Sequence, residues 1–395
     1  MKKYQFVFNI LIVIVISLFA VYADSMMKYL EFKKTLSGII NYIVMAVFMI
    51  SLYAQLLSQD KRQTQFTKMW IIWMIWLFAA FYLLGLKGEG LSNYFIVTLA
   101  PMSFMLFYVG ALNSYNIEKI SLVGFYIVFA LAYYQTIVMM DVILLTNVFG
   151  EEGSQSNIVY WCLCPLPFLL LVKNKWLQIL AIMLMIFITI LTGKRSATII
   201  MLTVVFFYLT NNMKRRNKFG YAFAILIGLV AGYFIVYNYL ADAFGGLVER
   251  MEVMGAEGDS SMSRVDVYSD CLRVMNGNDV FDWIFGRGYE SVRALSGHTN
   301  AHNDALQMLF EYGLIGLCFY IYMLVYSIKR ARLLNKIESP FYVGYMASVV
   351  IFIVLGLVSN LVVFYSYFAY ICAFWGMVEA RLRQQGVLYQ RHANF

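Results

Sequence analysis

Two of the chain's three histidines lie in one polar segment, Gly297-His298-Thr299-Asn300-Ala301-His302-Asn303-Asp304. Imidazole changes its charge near neutral pH, so a histidine is well suited to remove a proton from a hydroxyl group. His298 and His302 are four residues apart, which on a helix could provide half of a metal site, but no third ligand has suitable spacing. Three roles are therefore considered: a general base, a metal ligand, and loop histidines that contact only water.

Basic residues upstream of this segment could bind an anion. Lys194 and Arg195 lie between two apolar runs, in Thr192-Gly193-Lys194-Arg195-Ser196, and Arg264 and Arg287 lie in the polar region that follows. The planar guanidinium group of arginine binds phosphate through two parallel hydrogen bonds. These residues indicate either a phosphate site or, for the first pair, side chains that simply extend to the membrane surface.

The composition places most of the chain in a lipid bilayer. Hydrophobic residues make up 62% and charged residues 13% of the 395 residues, and the mean hydropathy is +0.71. Apolar side chains are therefore more numerous than a soluble core could bury. The net charge of +8 would suggest nucleic acid as a partner of a soluble protein. In a membrane protein the position of the charges matters more, and we expect no nucleic-acid partner.

Apolar runs of spanning length predict an all-α, polytopic membrane protein of about 12 transmembrane helices. The run that follows Lys2-Lys3 is nearer to a full span than to the apolar part of a signal peptide, so we expect this helix to be retained. The predicted spans are 4–23, 36–57, 69–86, 93–112, 120–146, 158–172, 176–192, 197–212, 219–240, 304–328, 341–360 and 361–380.

The distribution of Lys and Arg predicts the orientation, because basic residues accumulate in cytoplasmic loops. With both termini in the cytoplasm, most of the 30 basic residues fall on the cytoplasmic side. The chain then divides into helices 1–9 in residues 1–240, a large periplasmic loop over 241–303, and helices 10–12 with a cytoplasmic C-terminal tail over 304–395.

The large loop is predicted to contain a short amphipathic helix that starts at Ser263, a candidate N-terminal cap. This helix would lie against the outer membrane surface and present Arg264 near its N-terminus, where anions are favoured. The apolar residues at helical spacing are Val265, Tyr268, Leu272 and Met275.

Three polar residues fall inside predicted spans: Asp141, Gln135 and Glu311. Ionisable groups in a membrane are costly and usually face a cavity or a partner. A structural hydrogen-bonding role and a functional role are both open for each of them.

Three short motifs follow one another between residues 190 and 330. They are Thr192-Gly193-Lys194-Arg195-Ser196, then Ser263-Arg264 with Ile284-Phe285-Gly286-Arg287-Gly288, and finally His302-Asn303 followed by nine residues, Gly313, two residues and Gly316. In order and spacing they resemble motifs of the O-antigen polymerase and O-antigen ligase superfamily of bacterial envelope glycosyltransferases. Those motifs are T-x-S-R or T-x-x-R, then G-R or A-R with a glycine pair, then H-N-x(9)-G-x-x-G. Lys194 departs from the pattern, because the family often has Ser there.

The resemblance implies a glycosyltransferase in the bacterial inner membrane that needs neither a metal ion nor a cofactor. Its donor would be a glycan linked to undecaprenyl diphosphate on the periplasmic side. The implied roles are diphosphate binding for Arg195, Arg264 and Arg287, activation of the acceptor hydroxyl for His302, and support from Lys194, Asn303 and His298.

The identity of the acceptor separates the remaining interpretations. A polymerase would extend another lipid-linked repeat unit, together with a possible chain-length regulator protein, whereas a ligase would transfer the glycan to lipid A core. The stretch Phe285-Gly286-Arg287-Gly288-Tyr289 is more similar to polymerases. A transporter or flippase of lipid-linked oligosaccharides is the alternative from another class, but related halves, as expected of a transporter, are not evident.

Overall fold

The protein is described here from a computed structural model that covers residues 5–25, 64–83, 90–138, 159–192, 194–213, 260–298, 300–362 and 365–386. Every regular element within these residues is a helix, which confirms the all-α class. The predicted spans 36–57 and 219–240, the first part of the loop at 241–259, and Asp141 lie outside the described residues.

Fourteen helices occur in the described part of the chain. They are α1 Gln5–Ser25, α2 Gln65–Leu83, α3 Gly90–Asn113, α4 Ile117–Val138, α5 Val159–Leu163, α6 Leu166–Leu169, α7 Lys175–Thr192, α8 Arg195–Met213, α9 Ser260–Met275, α10 Val280–Phe285, α11 Ser291–Ser296, α12 Asp304–Lys336, α13 Tyr342–Val358 and α14 Tyr365–Gln384.

Three described helices, α4, α7 and α12, are long and apolar enough to cross a membrane. Six shorter apolar stretches accompany them: Gln5–Ala20, Gln65–Phe81, Thr98–Asn113, Val159–Leu169, Ser196–Asn211 and Tyr342–Val358. Each of these segments overlaps a predicted span.

Two predicted spans are not single straight helices. The span at 158–172 forms the short helices α5 and α6, because Pro165 and Pro167 interrupt the backbone hydrogen bonding of a continuous helix. The span that begins at Asp304 continues to Lys336 and is broken at Gly313, which has φ 63° and ψ −158°.

Aromatic side chains fill the core between α2, α3, α12 and α14. Trp70 of α2 stacks on Phe104 of α3, at 5.4 Å between ring centroids, and meets Phe319 of α12 edge to face. Phe368 and Trp375 of α14 complete the cluster through their own ring contacts. Helix α14 runs along α3, α1 packs on α4, and α13 packs on α8 and α12. This core fixes the helix ends that carry the candidate site.

Polar contacts distinguish the two ends of the bundle. At one end, Ser114 donates to Asn9 at 2.6 Å, and Arg330 of α12 pairs with Glu379 of α14 at 2.8 Å. Arg381 also pairs with Glu118 at this end. Helix α12 runs from there to Asp304 at the opposite end, where α5 begins, α7 meets α8 and α13 ends.

Candidate functional site

Tyr160, the second residue of α5, connects several segments at the end of the bundle that contains Asp304. Its hydroxyl lies 2.6 Å from the hydroxyl of Ser196 in the first turn of α8. The Lys194 ammonium group lies over the Tyr160 ring, 5.7 Å from its centroid. The Arg264 guanidinium group and the Ser359 hydroxyl are close enough to influence the same hydroxyl electrostatically. The buried Tyr160 therefore contacts the first motif directly and lies within electrostatic range of Arg264 in the second.

The basic residues of this cluster differ in position. Arg195 is the first residue of α8, directly between Lys194 and Ser196. Arg264 lies in the second turn of α9, because this helix begins at Ser260 rather than at the predicted Ser263. Serine and methionine are tolerated in a first helical turn, so the helix extends three residues further towards the N-terminus. The Arg264 side chain is exposed.

Helix α9 packs against protein through a face that overlaps only part of the predicted apolar face. Val267, Cys271 and Met275 are buried in a small core that also contains Val292 of α11 and Phe310 of α12. This packing raises the pKa of the Cys271 thiol, because burial disfavours the thiolate. Of the predicted apolar face, Met275 is in this core and Tyr268 packs against it, whereas Val265 and Leu272 are exposed. Sequence spacing alone did not reveal that α11 and α12 would cover the neighbouring face.

Gly286 and Gly313 join the second motif to the third. The break at Gly313 deprives the carbonyls of Phe310 and Glu311 of the donors that a continuous helix would provide. The backbone N–H of Arg287 donates to the Phe310 carbonyl at 3.0 Å, and that of Gly288 donates to the Glu311 carbonyl at 2.9 Å. The loop thus replaces helical hydrogen bonds. In apolar surroundings an unpaired carbonyl costs on the order of several kcal/mol.

Arg287 is held within the loop. Its Nε donates to the Asn278 side chain at 2.6 Å, and its guanidinium group pairs with Asp282 at 3.2 Å. These contacts fix the arginine beside the glycine turn. They occupy part of the guanidinium group to which the family resemblance assigns diphosphate binding.

His302 lies two residues before the start of α12, in a left-handed backbone conformation with φ 51°. The peptide between Asn300 and Ala301 is fixed because the Ala301 N–H donates to Oε1 of Gln307 at 2.7 Å. Asn303 caps the helix, since its side-chain oxygen accepts from the N–H of Leu306 at 3.0 Å. In the structure, Asn303 therefore caps the N-terminus of α12 directly after His302.

Asp304 attaches this segment to α13 and α14. Its buried carboxylate accepts from the backbone N–H groups of Leu361 and Val362, at 3.1 to 3.2 Å. Ser359, which is near Tyr160, belongs to the same turn. A continuous series of contacts therefore leads from the basic cluster around Tyr160 to the His302 segment.

His298 belongs to a separate ion-pair group on the loop surface. Its Nε2 lies 2.9 Å from Asp270 of α9, and Arg273 pairs with the other oxygen of that carboxylate, also at 2.9 Å. The hydrogen bond with His298 and the charge of Arg273 lower the pKa of Asp270. His298 therefore pairs with α9, whereas His302, four residues later, lies just before the start of α12.

The polar residues predicted inside spans have different environments. Gln135 is buried in α4, and Glu311 accepts a hydrogen bond from Gln307 at 2.6 Å. Tyr160, Asp304 and Gln307 were not singled out in the sequence. Of these, only Gln307 could have been recognised from the sequence, because it is a polar residue one helical turn before Glu311 in an apolar helix. Among the described residues, no three His, Cys, Asp or Glu side chains gather to form a possible metal site.

Comparison with known proteins identifies the central part of the chain. Residues 180–321 match the family model described as O-antigen ligase. This match includes the basic motif at Lys194, the loop helices, His302 and the Gly313 break, and it confirms the resemblance to the O-antigen polymerase and ligase superfamily. No curated protein matches the chain.

Proposed function

We propose that this protein is an O-antigen polymerase that joins undecaprenyl-diphosphate-linked repeat units at the periplasmic face of the bacterial inner membrane. The observation that carries the proposal is the cluster around Tyr160. In this cluster Lys194 and the first turn of the helix that starts at Arg195 contact Tyr160, and Arg264 lies within electrostatic range of it. The cluster lies at the end of the bundle where His302 precedes α12, which supports the proposal. The family match supports a lipid-linked glycan as the substrate.

The proposed reaction needs one base and one site for a leaving anion. His302 accepts the proton of the acceptor hydroxyl as its oxygen forms a bond to the anomeric carbon of the donor. The bond between that carbon and the diphosphate oxygen breaks, and the electron pair leaves with the diphosphate. Arg195 and Arg264 stabilise the charge that develops there, with Lys194 as a further cation. Arg287 acts from the glycine turn, and neither a metal ion nor a cofactor takes part.

The proposed location follows from the positive-inside rule. Lys and Arg are enriched in the segments assigned to the cytoplasm, and Arg330, Arg381 and Arg383 lie on helices at the end opposite the candidate site. This arrangement supports cytoplasmic termini and a periplasmic 241–303 loop. A fusion to alkaline phosphatase at Gly258 should be active, and a fusion to β-galactosidase at the same position should be inactive.

A ligase that transfers the glycan to lipid A core is the second candidate, because the matching family model is itself described as O-antigen ligase. Expression of this chain in a polymerase-deficient and a ligase-deficient strain should distinguish the two. The polymerase should restore a ladder of chain lengths in the first strain only. Restoration of capped lipopolysaccharide in the second strain alone would identify a ligase.

Loss of a chain-length regulator should alter the ladder's length distribution if that protein is a partner.

A flippase would move the lipid-linked unit without changing its covalent structure. Purified protein in detergent, supplied with the lipid-linked repeat unit, should release undecaprenyl diphosphate. A flippase would release none and would instead move the lipid across the bilayer of a vesicle.

A further inference from the structure

A buried amide and carboxyl pair lies between the glycine turn and the His302 segment. Gln307 and Glu311 are each 1% exposed, on the part of α12 that precedes the break at Gly313. Nε2 of Gln307 donates to Oε1 of Glu311 at 2.6 Å. A buried polar pair of this kind is costly unless its hydrogen bonds are satisfied, so its contacts define where each side chain must lie.

Gln307 holds the peptide that joins Asn300 to Ala301, one peptide before the one that joins Ala301 to His302. Its Oε1 accepts from the Ala301 N–H at 2.7 Å, while its Nε2 is engaged by Glu311. His302 itself has a positive φ of 51°, a conformation that is uncommon and costly for non-glycine residues. The amide of Gln307 therefore helps to enforce the backbone geometry of the histidine.

Glu311 connects Gln307 to the glycine turn. Its backbone carbonyl accepts from the Gly288 N–H at 2.9 Å, and the backbone N–H of Glu290 faces its carboxyl group. A change in the turn at residues 286–290 would consequently reach His302 through only two side chains.

We propose that Gln307 and Glu311 are positioning residues that align His302 with the acceptor hydroxyl, with Glu311 acting through Gln307. This inference rests on the proposed function, because it requires His302 to be the base. Neither residue contacts the reacting atoms. Their removal should therefore lower kcat and leave the donor KM largely unchanged, since the basic cluster at Tyr160 is a separate group of contacts.

The substitution Gln307→Met removes both hydrogen bonds and retains the approximate volume and apolar surface. We expect kcat to fall roughly ten- to a hundredfold, because a displacement of about 1 Å at a catalytic group can cost about a hundredfold. Donor KM should stay within about twofold. The readout is release of undecaprenyl diphosphate from the lipid-linked repeat unit that accumulates in cells lacking this gene, measured over a range of donor concentrations.

Two variants at Glu311 test the direction of the connection. Glu311→Gln keeps an oxygen that accepts from Gln307, so its kcat should stay within about threefold of the wild type. Glu311→Met removes that oxygen and should resemble Gln307→Met. If Glu311 acts through Gln307, the double variant should be little worse than either methionine variant alone, because effects within one connected unit are not additive.

Ser348→Ala is the matched control for loss of a buried hydrogen bond. The Ser348 hydroxyl accepts from Nε1 of Trp375 at 2.8 Å in the aromatic core. The Ser348→Ala variant should lower thermal stability in detergent as much as the methionine variants do, with little change in kcat. Equal loss of kcat in this control, or a rise in donor KM without loss of kcat in Gln307→Met, would refute the positioning role.

Failure of this inference differs from failure of the proposed function. His302→Ala is measured in the same assay. If it is inactive while Gln307→Met and Glu311→Met keep wild-type kcat, His302 remains the base and the positioning role is wrong. If His302→Ala keeps full activity, the proposed mechanism itself is wrong and the positioning role is lost with it.

Discussion

Gly286 and Gly313 lie backbone against backbone, and neither has space for a side chain. A β-carbon on Gly286 would overlap the carbonyl of Glu311, and one on Gly313 would overlap the carbonyl of Ile284. Both residues have positive φ, at 80° and 63°. The close approach allows the Arg287 and Gly288 N–H groups to reach the carbonyls exposed by the helix break.

Gly286→Ala and Gly313→Ala should both destabilise the folded protein and reduce activity. The left-handed backbone alone costs about 1–3 kcal/mol for a residue with a side chain, and steric overlap adds to this cost. Thermal unfolding in detergent measures the effect. Gly297→Ala is a control for positive φ without steric overlap, because Gly297 has φ 78° in the αL region and nothing lies within 4 Å of the added carbon. Equal destabilisation by all three variants would contradict the role of backbone contact.

Arg195→Lys and Arg264→Lys should each reduce activity substantially at normal protein level. Lysine keeps the charge but loses the planar group that binds a diphosphate through two hydrogen bonds. Glycan transfer by membranes that contain each variant checks this. Arg293→Lys, an exposed arginine of α11, serves as the control and should be as active as the wild type. Full activity of both lysine variants would show that these arginines act only through their positive charge.

His302→Ala should abolish chain extension, with a loss on the order of a hundredfold or more if the imidazole is a general base. His298→Ala should be milder, because His298 pairs with Asp270 on the loop surface. Chain length on a polysaccharide gel, compared at equal protein level, distinguishes the two variants. The opposite order of severity, or loss of wild-type activity on addition of a chelator, would require a different catalytic assignment.

Tyr160→Phe should weaken donor binding and leave the aromatic contact with Lys194 in place. The variant removes the hydroxyl that meets Ser196, and a neutral hydrogen bond contributes about 1 kcal/mol, which corresponds to about a fivefold change in affinity. Donor KM should rise by roughly this factor. Tyr126→Phe, which removes a hydroxyl near the end of α6, should not change it. A fall in kcat without a change in donor KM would show that Tyr160 acts elsewhere in the reaction.

Acidification should loosen the contact between α9 and the turn at His298. The hydrogen bond with His298 lowers the pKa of Asp270 in the folded protein. A carboxylate whose pKa is lower in the folded protein stabilises the fold at pH values above its pKa in the unfolded chain, about 3.9. This stabilisation is lost as the pH falls through the pKa of the folded protein. Hydrogen exchange of residues 296–300, corrected for the intrinsic rate, should increase at pH 3 relative to pH 5. Asp270→Asn should remove this pH dependence.

The sequence predicted the helical class and the approximate position of many helices, because long apolar runs have few other solutions in a bilayer. It predicted the importance of the His302 segment only through resemblance to a family. The break at Gly313 was missed as a structural event. A lone glycine in an apolar run is compatible with a straight helix, and the compensating donors of Arg287 and Gly288 lie in a distant segment.

Tyr160 shows why much of the candidate site was not predictable. It is one of 30 tyrosines, and its importance comes only from the meeting of α5, α8, α9 and the end of α13. Asp304 was overlooked for a related reason. An acidic residue in the first turn of a helix is usual, so nothing in the local sequence indicated that its carboxylate would bind two N–H groups between α13 and α14.

The break at Gly313 has a consequence for biogenesis. Residues 286–288 are synthesised before α12, and in the proposed topology they have already crossed the membrane when α12 enters it. Before residues 286–288 dock, the Phe310 and Glu311 carbonyls need the donors of a continuous helix, and the break at Gly313 can form only when the loop supplies its own. Docking of the loop and formation of the break in α12 are therefore expected to occur together. A chain cut between residues 288 and 304 would be expected to assemble only if both fragments meet in the same bilayer.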